Sequence, residues 1–482
     1  MADILTTIVE RRTEDMKRLG LTFGIDIPEK RQRPVHPFLS EKGVILEVKR
    51  ASPSKGDIAP DLNSAATAFS YAEAGAGAIS CLTETNYFKG TLEDLMKVCA
   101  AVDKYEAESG KTAPAVLRKD FLINSEEVEI AYRAGADAVL LIARILEESV
   151  IIDMAKKAAG YGMTALVEVR SDDDIQKLKA VACVVDKQFI VCGVNSRDLA
   201  NFKIDLLKPC ALMGKIRSVL GEGARVIFES GIRTPEAARF AGSLGFAGML
   251  LGEAAAKSPE LRSELVKSFV EAEAAKNADF WKSVVEKHRP LVKICGLTRT
   301  EDVLCADSLG ADFVGFIFAA GFGRNVCDGR FEKIIPALKN VKAKKIAVIT
   351  DPESQEAAAA VEYVEQGILD CIQLHGISYE DVPDRILKLP HYFAITEKNG
   401  DMPAACEKLF QKGEPRFLQD SKSQNYDTNH KLWLAGGITP ENAGELVKRF
   451  QPELIDVSGG VEDEITGIKN HEKIKRIIEV IK

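Results

Sequence analysis

The sequence predicts an α/β protein made of two tandem (β/α)8 barrels. Short apolar runs alternate with amphipathic helical patterns along most of the chain, which is typical of a parallel sheet. The alternation begins near residue 43, gives way to charged helical sequence at residues 258–287, and starts again at residue 291. Each half carries eight apolar runs, and eight units of this size favour a closed barrel over an open sheet. The length of 482 residues also suggests more than one domain.

The elements are predicted as follows, in chain order. Residues 1–42 carry an amphipathic helical pattern and then a proline-containing connector, which predicts an extra helix that acts as a lid or plug. First-half strands are predicted at 43–49, 77–82, 114–118, 137–142, 163–168, 189–193, 225–229 and 246–251. Second-half strands are predicted at 291–295, 312–318, 344–350, 370–374, 390–395, 416–419, 432–435 and 453–458. The predicted domains are residues 1–270 and 291–482, joined by a helical linker at 271–290 that ends in Lys287-His-Arg-Pro290.

Composition narrows the classes of function. Hydrophobic residues make up 46% of the chain and charged residues 28%, and no apolar run is long enough to cross a bilayer. The net charge of -8 argues against a general nucleic-acid binder, although a local basic pocket for a small phosphorylated ligand is compatible with it. The amino terminus lacks the order of a secretory signal, so a cytoplasmic protein is expected. The sequence leaves the oligomeric state open, with a monomer as one alternative.

The positions of the histidines and cysteines limit the kinds of catalytic and metal sites that the chain can contain. Only His36 falls within the first 287 residues, which nearly excludes a histidine-dependent triad or a multi-histidine metal site there. The chemistry of the first half must therefore use Lys, Glu, Asp and Asn. The ten cysteines form no Cys-x-x-Cys pair, and most lie within apolar runs, as expected of small buried side chains in a reducing compartment.

Polar residues end the apolar runs of the first half. In a parallel barrel the carboxyl ends of the strands form the active face, so these residues are candidates for a site. A single polar residue at a strand end would more often form an ion pair or cap a helix, but six strands that all end in polar residues favour an active site. Glycines follow the last two strands, where the backbone amides of such barrels commonly bind a phosphate group. The candidates in chain order are Glu47, Lys49, Lys119, Glu168, Asn195, Arg197, Glu229, Ser230, Gly231, Gly252 and Glu253.

These motifs resemble those of indole-3-glycerol-phosphate synthase over residues 1 to about 270. The resemblance rests on Glu47-x-Lys-Arg-x-Ser-Pro-Ser54, Asn86-Tyr-Phe-x-Gly90, Lys119-Asp-Phe121, Glu168, Asn195-Ser-Arg-Asp-Leu199 and Glu229-Ser-Gly-Ile232. It implies that carboxyphenylamino-deoxyribulose phosphate is cyclised with loss of carbon dioxide and water. It implies no metal ion and no organic cofactor.

The resemblance also implies roles for individual residues. Lys119 would be the acid that protonates the developing alkoxide, and Glu168, with Glu47 beside it, would handle the proton transfers of dehydration. Lys49 would pair with the anionic substrate, and two neighbouring lysines are expected to lower each other's pKa. The residues expected to bind the substrate are Ser52, Phe88, Phe121, Asn195 and Arg197, although Phe88 and Phe121 could equally be core residues. The phosphate group would be bound at Ser230, Gly231, Gly252 and Glu253.

The second half resembles phosphoribosylanthranilate isomerase over residues 291–482. The matching segments are Val292-Lys-Ile-Cys-Gly-Leu-Thr-Arg299, Gly315-Phe-Ile-Phe318, Gln373-Leu-His-Gly376, Leu434-Ala-Gly-Gly-Ile-Thr-Pro-Glu-Asn442 and Asp456-Val-Ser-Gly-Gly-Val-Glu462. The resemblance implies an Amadori rearrangement with Cys295 as general base and Asp420 as general acid. Arg324 would hold the substrate carboxylate, and the phosphate cradle would comprise Gly436, Gly437, Ser458 and Gly459.

Three departures from the family pattern concern the second half. Phe322-Gly-Arg324 stands where Ser-Pro-Arg is usual, and Ser458-Gly-Gly460 replaces Ser-Ser-Gly. The glycine-rich loop expected after Asp420 is missing, and the short segment there predicts a vestigial sixth helix. Two alternatives stay open: a synthase whose second barrel is degenerate, structural or regulatory, and a pair of barrels acting on other sugar phosphates. The combination of Lys49, Lys119 and Glu168 with Asn195 argues against the latter.

Overall fold

The computed structural model describes residues 4–53, 55–197, 203–256, 258–273, 275–285 and 290–482. The chain forms two compact units, residues 1–275 and 276–482. Within the described ranges, no helix combines the length and the apolar character that crossing a membrane requires.

The first unit is a closed barrel of eight parallel strands with an extra amino-terminal helix. Its helices are α1 (Ile4–Leu19), α2 (Ser64–Glu73), α3 (Leu92–Ser109), α4 (Glu126–Arg133), α5 (Glu148–Gly160), α6 (Asp172–Ala182), α7 (Lys208–Leu220), α8 (Pro235–Ser243) and α9 (Pro259–Val270). Its strands are β1 (Gly43–Val48), β2 (Ala51–Ser52), β3 (Gly56–Asp57), β4 (Ala78–Leu82), β5 (Ala115–Lys119), β6 (Ala138–Ile142), β7 (Thr164–Val169), β8 (Ile190–Asn195), β9 (Val226–Glu229) and β10 (Gly248–Leu251). The barrel runs from β1 through β4 to β10 and closes back onto β1, which confirms the predicted fold. The antiparallel hairpin of β2 and β3 was not predicted; it lies in the loop after β1.

The core of the first barrel follows from its strand sequences. Parallel strands are covered on both faces, so they are apolar almost throughout, and the residues of β4 and β6 are all buried. The interior cluster contains Phe38, Leu39, Ile45, Ala78, Ala115, Leu117, Ala138, Leu140, Ile142, Leu166, Val191, Ile227 and Leu250. Because this layer excludes polar groups, a charged strand residue must lie at a strand end or pair with an opposite charge.

Helix α1 is fixed to the barrel by a buried ion-pair cluster. The guanidinium of Arg12 is only 2% exposed; it donates to Asp120 Oδ1 at 2.8 Å and also contacts the carboxylate of Glu127. Asp120 directly follows Lys119 at the end of β5, and Glu127 lies in α4, the next helix. A buried charge is tolerated only when it is paired, so this cluster ties α1 to that strand end. Helix α1 also presents Leu5 and Ile8 to the cavity above the barrel, so it covers part of that cavity, where a lid or plug was predicted.

The second unit is also a closed barrel of eight parallel strands, as predicted. Its helices are α10 (Ala275–Val285), α11 (Thr300–Ser308), α12 (Arg330–Leu338), α13 (Gln355–Glu365), α14 (Asp384–Leu387), α15 (Met402–Gln411), α16 (Ala443–Phe450) and α17 (His471–Ile481). Its strands are β11 (Leu291–Ile294), β12 (Phe313–Ile317), β13 (Lys344–Ile349), β14 (Cys371–His375), β15 (His391–Thr396), β16 (Phe417–Asp420), β17 (Trp433–Ala435) and β18 (Leu454–Val457), paired in chain order. Residues 421–432, all of them described, contain turns and no helix, so the shortened sixth unit is confirmed.

Helix α10 closes the amino-terminal end of the second barrel. Phe280 and Trp281 are 2% and 1% exposed. The Trp281 ring lies 6.1 Å from the ring of Trp433, the first residue of β17. The Phe280 ring lies 5.9 Å from the ring of Phe313, the first residue of β12. Phe280 and Trp281, placed by the sequence in a linker, thus contribute to the core of the second unit. Of the linker end proposed at 287–290, residues 287–289 lie outside the described residues.

Trp281→Ala is therefore expected to lower the free energy of unfolding of the second unit by about 3–5 kcal/mol, the usual cost of removing a buried aromatic side chain. The chain has two tryptophans, Trp281 and Trp433, and both belong to the second unit. Tryptophan fluorescence in a denaturant titration therefore follows this unit alone, with Trp433 as the remaining probe. The exposed Asp279 of the same helix gives the control: Asp279→Ala should change stability by less than about 0.5 kcal/mol. Equal effects of the two changes would contradict a core role for α10.

Candidate active sites

A cavity lies at the carboxyl ends of the first barrel's strands. Its wall contains every first-half residue that the sequence predicted for the site: Glu47, Lys49, Ser52, Phe88, Lys119, Phe121, Glu168, Asn195, Arg197, Glu229, Ser230, Gly231, Gly252 and Glu253. Charged residues lie on the side of the strand ends, and Leu5 and Ile8 of α1 contribute an apolar wall. The rings of Phe88 and Phe121 lie 5.9 Å apart at 37° to each other and form one aromatic surface in the cavity, and Phe121 also packs against the core of the barrel.

Lys119 lies among carboxylates. Its Nζ is 3.7 Å from Oε2 of Glu229, and Glu168 and Glu47 line the same cavity. Burial alone would lower the pKa of Lys119, but the carboxylates, Glu229 first, outweigh burial and raise it above its ordinary value. The expectation that the pKa of Lys119 is lowered is therefore wrong. The Lys49 ammonium pairs with Glu47 Oε1 at 3.4 Å, so its charge is largely balanced there.

Arg170 also belongs to the site, although it was not predicted from the sequence. Arg170 donates from Nε and Nη2 to the same oxygen of Glu168, Oε1, at 2.9 and 2.6 Å. Burial would raise the pKa of Glu168, but the charges of Arg170 and Lys119 reverse this and lower it. Glu168 is thus held as a carboxylate. The signal in the sequence was an arginine two residues after a strand-end glutamate, in Glu168-Val-Arg170.

Glu229 titrates differently from Glu168. The sequence singled it out as a strand-end residue but gave it no role. Burial raises the pKa of Glu229 to about 8, and the charge of Glu168 adds to this, while Lys119 opposes it. Oε1 of Glu229 is buried and accepts no hydrogen bond from a described residue. A Cβ atom on Gly193 would lie 2.1 Å from that oxygen, so a side chain at this position of β8 would displace the Glu229 carboxyl group.

A pH dependence of stability follows from this shift. The ordinary pKa of a glutamate is 4.5, so Glu229 holds its proton more tightly in the folded chain. The stabilisation is complete below pH 4.5 and is lost as the pH rises through about 8. Glu229→Gln is expected to remove this loss, so that its melting temperature falls less between pH 5 and pH 9 than that of the wild type. Calorimetry at the two pH values measures it, with the exposed Glu108→Gln as control. A wild-type pH dependence in Glu229→Gln would contradict the shift.

The phosphate candidates lie together at one end of the cavity. Ser230 and Gly231 follow β9, and Gly252 and Glu253 follow β10. A Cβ atom on Gly252 would lie 2.6 Å from Nζ of Lys49, so glycine is needed there for the lysine to reach this end. Glu253 is an acid 3.9 Å from Nζ of Lys55, and its side chain would repel a phosphate group. Only its backbone amide can serve the predicted role.

Arginines add positive charge to the same cavity. Arg197 lines it, as predicted, and Asn195 Oδ1 accepts the backbone N–H of Arg197 at 3.0 Å, which fixes this turn. Arg233 was not predicted and also lines the cavity. Burial lowers the pKa of Arg197, and the nearby charge of Arg233 adds to this. Of the motif at 195–199, residues 198 and 199 lie outside the described residues.

In the second barrel, Cys295 directly follows β11 and its side chain meets a buried lysine. Nζ of Lys293 lies 3.4 Å from Cys295 Sγ, 2.6 Å from Asp456 Oδ2 and 2.6 Å from Gln373 Oε1. Burial raises the pKa of the Cys295 thiol, and the Lys293 ammonium acts against burial. Lys293 was not predicted as a site residue, because a lysine within a short apolar strand gives no sign of what it contacts.

Asp420 ends β16 and faces His375. Nε2 of His375 is 3.9 Å from Asp420 Oδ2, and Nδ1 is 3.3 Å from Gln373 Nε2. Burial raises the pKa of Asp420, with His375 opposing, so the carboxyl keeps its proton more readily than a free aspartate. Through Gln373 and Lys293, these contacts link Asp420 to Cys295 inside the barrel. The structure thus brings the predicted base and acid into one polar network.

The remaining second-half candidates surround this network. Ser458 Oγ donates to the Cys295 carbonyl at 3.1 Å, and Gly459 begins a short 3-10 helix directly after it. Gly436 follows β17, where a Cβ atom would lie 2.8 Å from Asp420 Oδ1, and Gly437 comes next. Both predicted phosphate loops therefore adjoin the site, one at Cys295 and the other at Asp420.

Arg324 has a partner that the sequence did not reveal. Its Nε and Nη2 donate to the two carboxylate oxygens of Glu462 at 2.8 and 2.6 Å. Glu462 in turn accepts from the buried Nζ of Lys469 at 2.7 Å. One edge of the guanidinium is thus occupied by the protein, which leaves Nη1 and the remaining hydrogen of Nη2 for another anion.

Two closed parallel barrels, each with titratable side chains gathered at its strand ends, define the chain as a tandem (β/α)8-barrel protein of the kind that forms active sites there. The family model for indole-3-glycerol phosphate synthase matches residues 26–268, and the model for N-(5'phosphoribosyl)anthranilate isomerase matches residues 292–480. The chain belongs to the indole-3-glycerol phosphate synthase family and carries a phosphoribosylanthranilate isomerase domain in tandem.

Relatives share one domain or both. An indole-3-glycerol phosphate synthase from Exiguobacterium sibiricum is 35% identical over 56% of this chain and 96% of its own length. The tryptophan biosynthesis protein TrpCF of Yersinia pestis is 28% identical over 95% of this chain and 89% of its own. A multifunctional tryptophan biosynthesis protein from Phycomyces blakesleeanus is 29% identical over 92% of this chain. The chain spans 63% of the length of that multifunctional relative.

Proposed function

We propose that the chain is a bifunctional enzyme of tryptophan biosynthesis. The second barrel isomerises N-(5-phosphoribosyl)anthranilate to carboxyphenylamino-deoxyribulose phosphate, and the first barrel cyclises this product to indole-3-glycerol phosphate. The observation that carries the proposal is the cluster of Lys119, Glu168 and Glu229 beside an aromatic surface and a phosphate-type glycine cradle. The domains stand in the reverse order of the reactions.

In the first barrel, the ring carbon that bears the carboxylate attacks the substrate ketone. Lys119 donates a proton to the developing alkoxide, and its raised pKa means that it carries that proton at neutral pH. Loss of carbon dioxide restores the aromatic ring, and the new hydroxyl takes up a second proton, supplied by solvent, and leaves as water. Glu168, held ionised by Arg170, accepts the proton released in dehydration.

Substrate binding in this barrel uses the other wall residues. Phe88 and Phe121 pack against the aminobenzoate ring, and Lys49 pairs with the substrate carboxylate while Glu47 positions Lys49. Asn195 and Arg197 orient the sugar chain. Ser52 contributes from the hairpin of β2 and β3, and the amides of residues 230, 231, 252 and 253 bind the phosphate group.

In the second barrel, Cys295 removes the proton from C2 of the sugar while Asp420 protonates the ring oxygen. The ring C–O bond breaks, an enolamine forms, and its tautomerisation gives the amino ketone. An acid and a base on the two sides of the sugar are required, and the raised pKa of Asp420 suits the acid. Arg324 holds the anthranilate carboxylate with the donors that Glu462 leaves open. Gly436, Gly437, Ser458 and Gly459 bind the phosphate group.

A second candidate is a synthase whose second barrel no longer catalyses. Two observations favour it: residues 421–432 lack the helix of a full sixth unit, and Glu462 already occupies one edge of Arg324. Neither observation removes Cys295 or Asp420, which is why the bifunctional function is preferred.

An assay of the full-length protein distinguishes the bifunctional enzyme from the synthase with an inactive second barrel. The protein is supplied with each substrate separately, and the products are followed by fluorescence and mass spectrometry. Conversion of both substrates supports the bifunctional enzyme. Conversion of carboxyphenylamino-deoxyribulose phosphate alone supports the synthase with a silent barrel. Conversion of neither would rule out the proposal.

A further inference from the structure

Lys293 is a charged side chain fully inside a barrel. It is 0% exposed and is among the largest fully buried side chains of the chain. Side chains alternate along a strand, so Lys293 and Cys295, two residues apart, project to the same side of β11, the barrel interior. An ammonium is almost never fully buried unless it is paired, so its position demands a specific set of partners.

The contacts of Lys293 account for all of its donors. An ammonium has three N–H groups, and Nζ of Lys293 has three acceptors: Asp456 Oδ2 and Gln373 Oε1, each at 2.6 Å, and Cys295 Sγ at 3.4 Å. Asp456 is the Cα partner of Lys293 on the neighbouring strand β18, so sheet register holds this pair together. Gln373 Oε1 is itself fixed by the hydroxyl of Tyr392 at 2.9 Å. Two rigid acceptors thus direct the third N–H to the sulfur.

We propose that Lys293 is a positioning residue that stabilises the thiolate form of Cys295, with Asp456 and Gln373 holding its ammonium at the sulfur. This deepens the proposed isomerase function, since it rests on Cys295 as the base. The thiolate, and not the thiol, accepts a proton, so a base buried in the barrel needs a nearby positive charge. No atom is transferred to or from Lys293; it changes only the balance between thiol and thiolate.

The charges around Cys295 come from several elements. Lys293 and Lys469 favour the thiolate, whereas Asp456 on β18 disfavours it. Arg324 and Tyr392 also interact electrostatically with the sulfur. Lys469 donates instead to Glu462 and to the Ser458 carbonyl, so Lys293 is the cation with a direct hydrogen bond to Cys295 within the described part of the chain.

A purely structural ion pair makes a different prediction. If Lys293 served only to join β11 to β18 through Asp456, its removal would destabilise the barrel and leave the titration of Cys295 unchanged. If Lys293 stabilises the thiolate, its removal shifts that titration upward. The two roles are therefore separated by the pH at which Cys295 becomes reactive, and this measurement does not depend on enzyme activity.

The test alkylates the full-length protein with iodoacetamide from pH 6 to pH 11 and measures the rate at the Cys295 peptide by mass spectrometry. In Lys293→Met the pH midpoint is expected to rise by about 1–3 units, the usual effect of removing an adjacent opposite charge, which slows alkylation of Cys295 at any pH below the wild-type midpoint by about 10–10³-fold. The exposed Cys183 gives an internal reference whose midpoint should not move. Lys333→Met, which removes an exposed lysine of α12, is the matched control. An unchanged Cys295 midpoint in Lys293→Met overturns the inference, and so does a wild-type Cys295 that iodoacetamide never reaches.

A second variant guards against misfolding. Lys293→Met leaves Asp456 buried without its cation, whereas the double variant Lys293→Met/Asp456→Asn removes both charges. Tryptophan fluorescence establishes that the second unit is folded, and the double variant is expected to keep a midpoint above that of the wild type. A midpoint at the wild-type value would count against Lys293. If the wild type does not isomerise its substrate but the midpoint still shifts, the proposed function fails and the Lys293–Cys295 pair stands.

Discussion

Lys119→Met is expected to lower the kcat of indole formation by about 10²–10⁴-fold, the range that a positioned general acid contributes. Methionine keeps most of the length of the side chain but has no proton to donate. Burial opposes the charge of Lys119, yet the surrounding carboxylates raise its pKa, so the lysine is charged over the whole pH range of the assay. The loss should therefore be similar at pH 6 and pH 9. The assay supplies carboxyphenylamino-deoxyribulose phosphate directly and follows indole fluorescence.

The chain offers its own controls for this measurement. Isomerase turnover in the same variant should equal that of the wild type, because Cys295 and Asp420 belong to the other barrel. Lys97→Met, which removes an exposed lysine of α3, should leave indole formation unchanged. If Lys119→Met closed the ring at the wild-type rate, another group would have to protonate the alkoxide, and Lys119 would be at most a binding residue.

The barrels and most of the first site could be predicted from the sequence because a few simple rules lead from the pattern of apolar runs to the strands, and from the strand ends to the site. Apolar runs of four to six residues between helical patterns specify parallel strands, and closure brings the carboxyl ends of those strands to one face. Glu47, Lys119 and Glu168 then meet although they are far apart in the chain, since each ends a strand. The shortened segment at 421–432 was visible as a simple shortage of residues.

The features that could not be predicted depend on contacts between residues that are distant in the sequence. Lys293 pairs with Asp456, 163 residues away, and only the register of β11 with β18 brings them together. The pKa of Lys119 depends on how close the carboxylates lie compared with Lys49, which strand order alone does not give. Trp281 appeared in a charged helix, and its burial follows from the shape of the barrel end beneath it. In each case the missing information was a distance, which neither composition nor periodicity contains.

Cys295→Ala is expected to lower isomerase kcat by about 10²–10⁴-fold while indole formation from added carboxyphenylamino-deoxyribulose phosphate stays at the wild-type rate. Alanine removes the base and leaves little empty volume, so loss of activity with a normal unfolding curve would locate the effect in the chemistry. Cys305→Ala, at a partly buried cysteine of α11, is the matched control and should retain activity.

Asp420→Asn extends this prediction to the acid. Because burial raises the pKa of Asp420, wild-type turnover should decline as the pH rises through that pKa, and this decline should be absent from any residual activity of the asparagine variant. Full isomerase activity in Cys295→Ala or in Asp420→Asn would exclude the residue concerned from the reaction. A wild-type chain without isomerase activity would instead make the second barrel a structural or regulatory module.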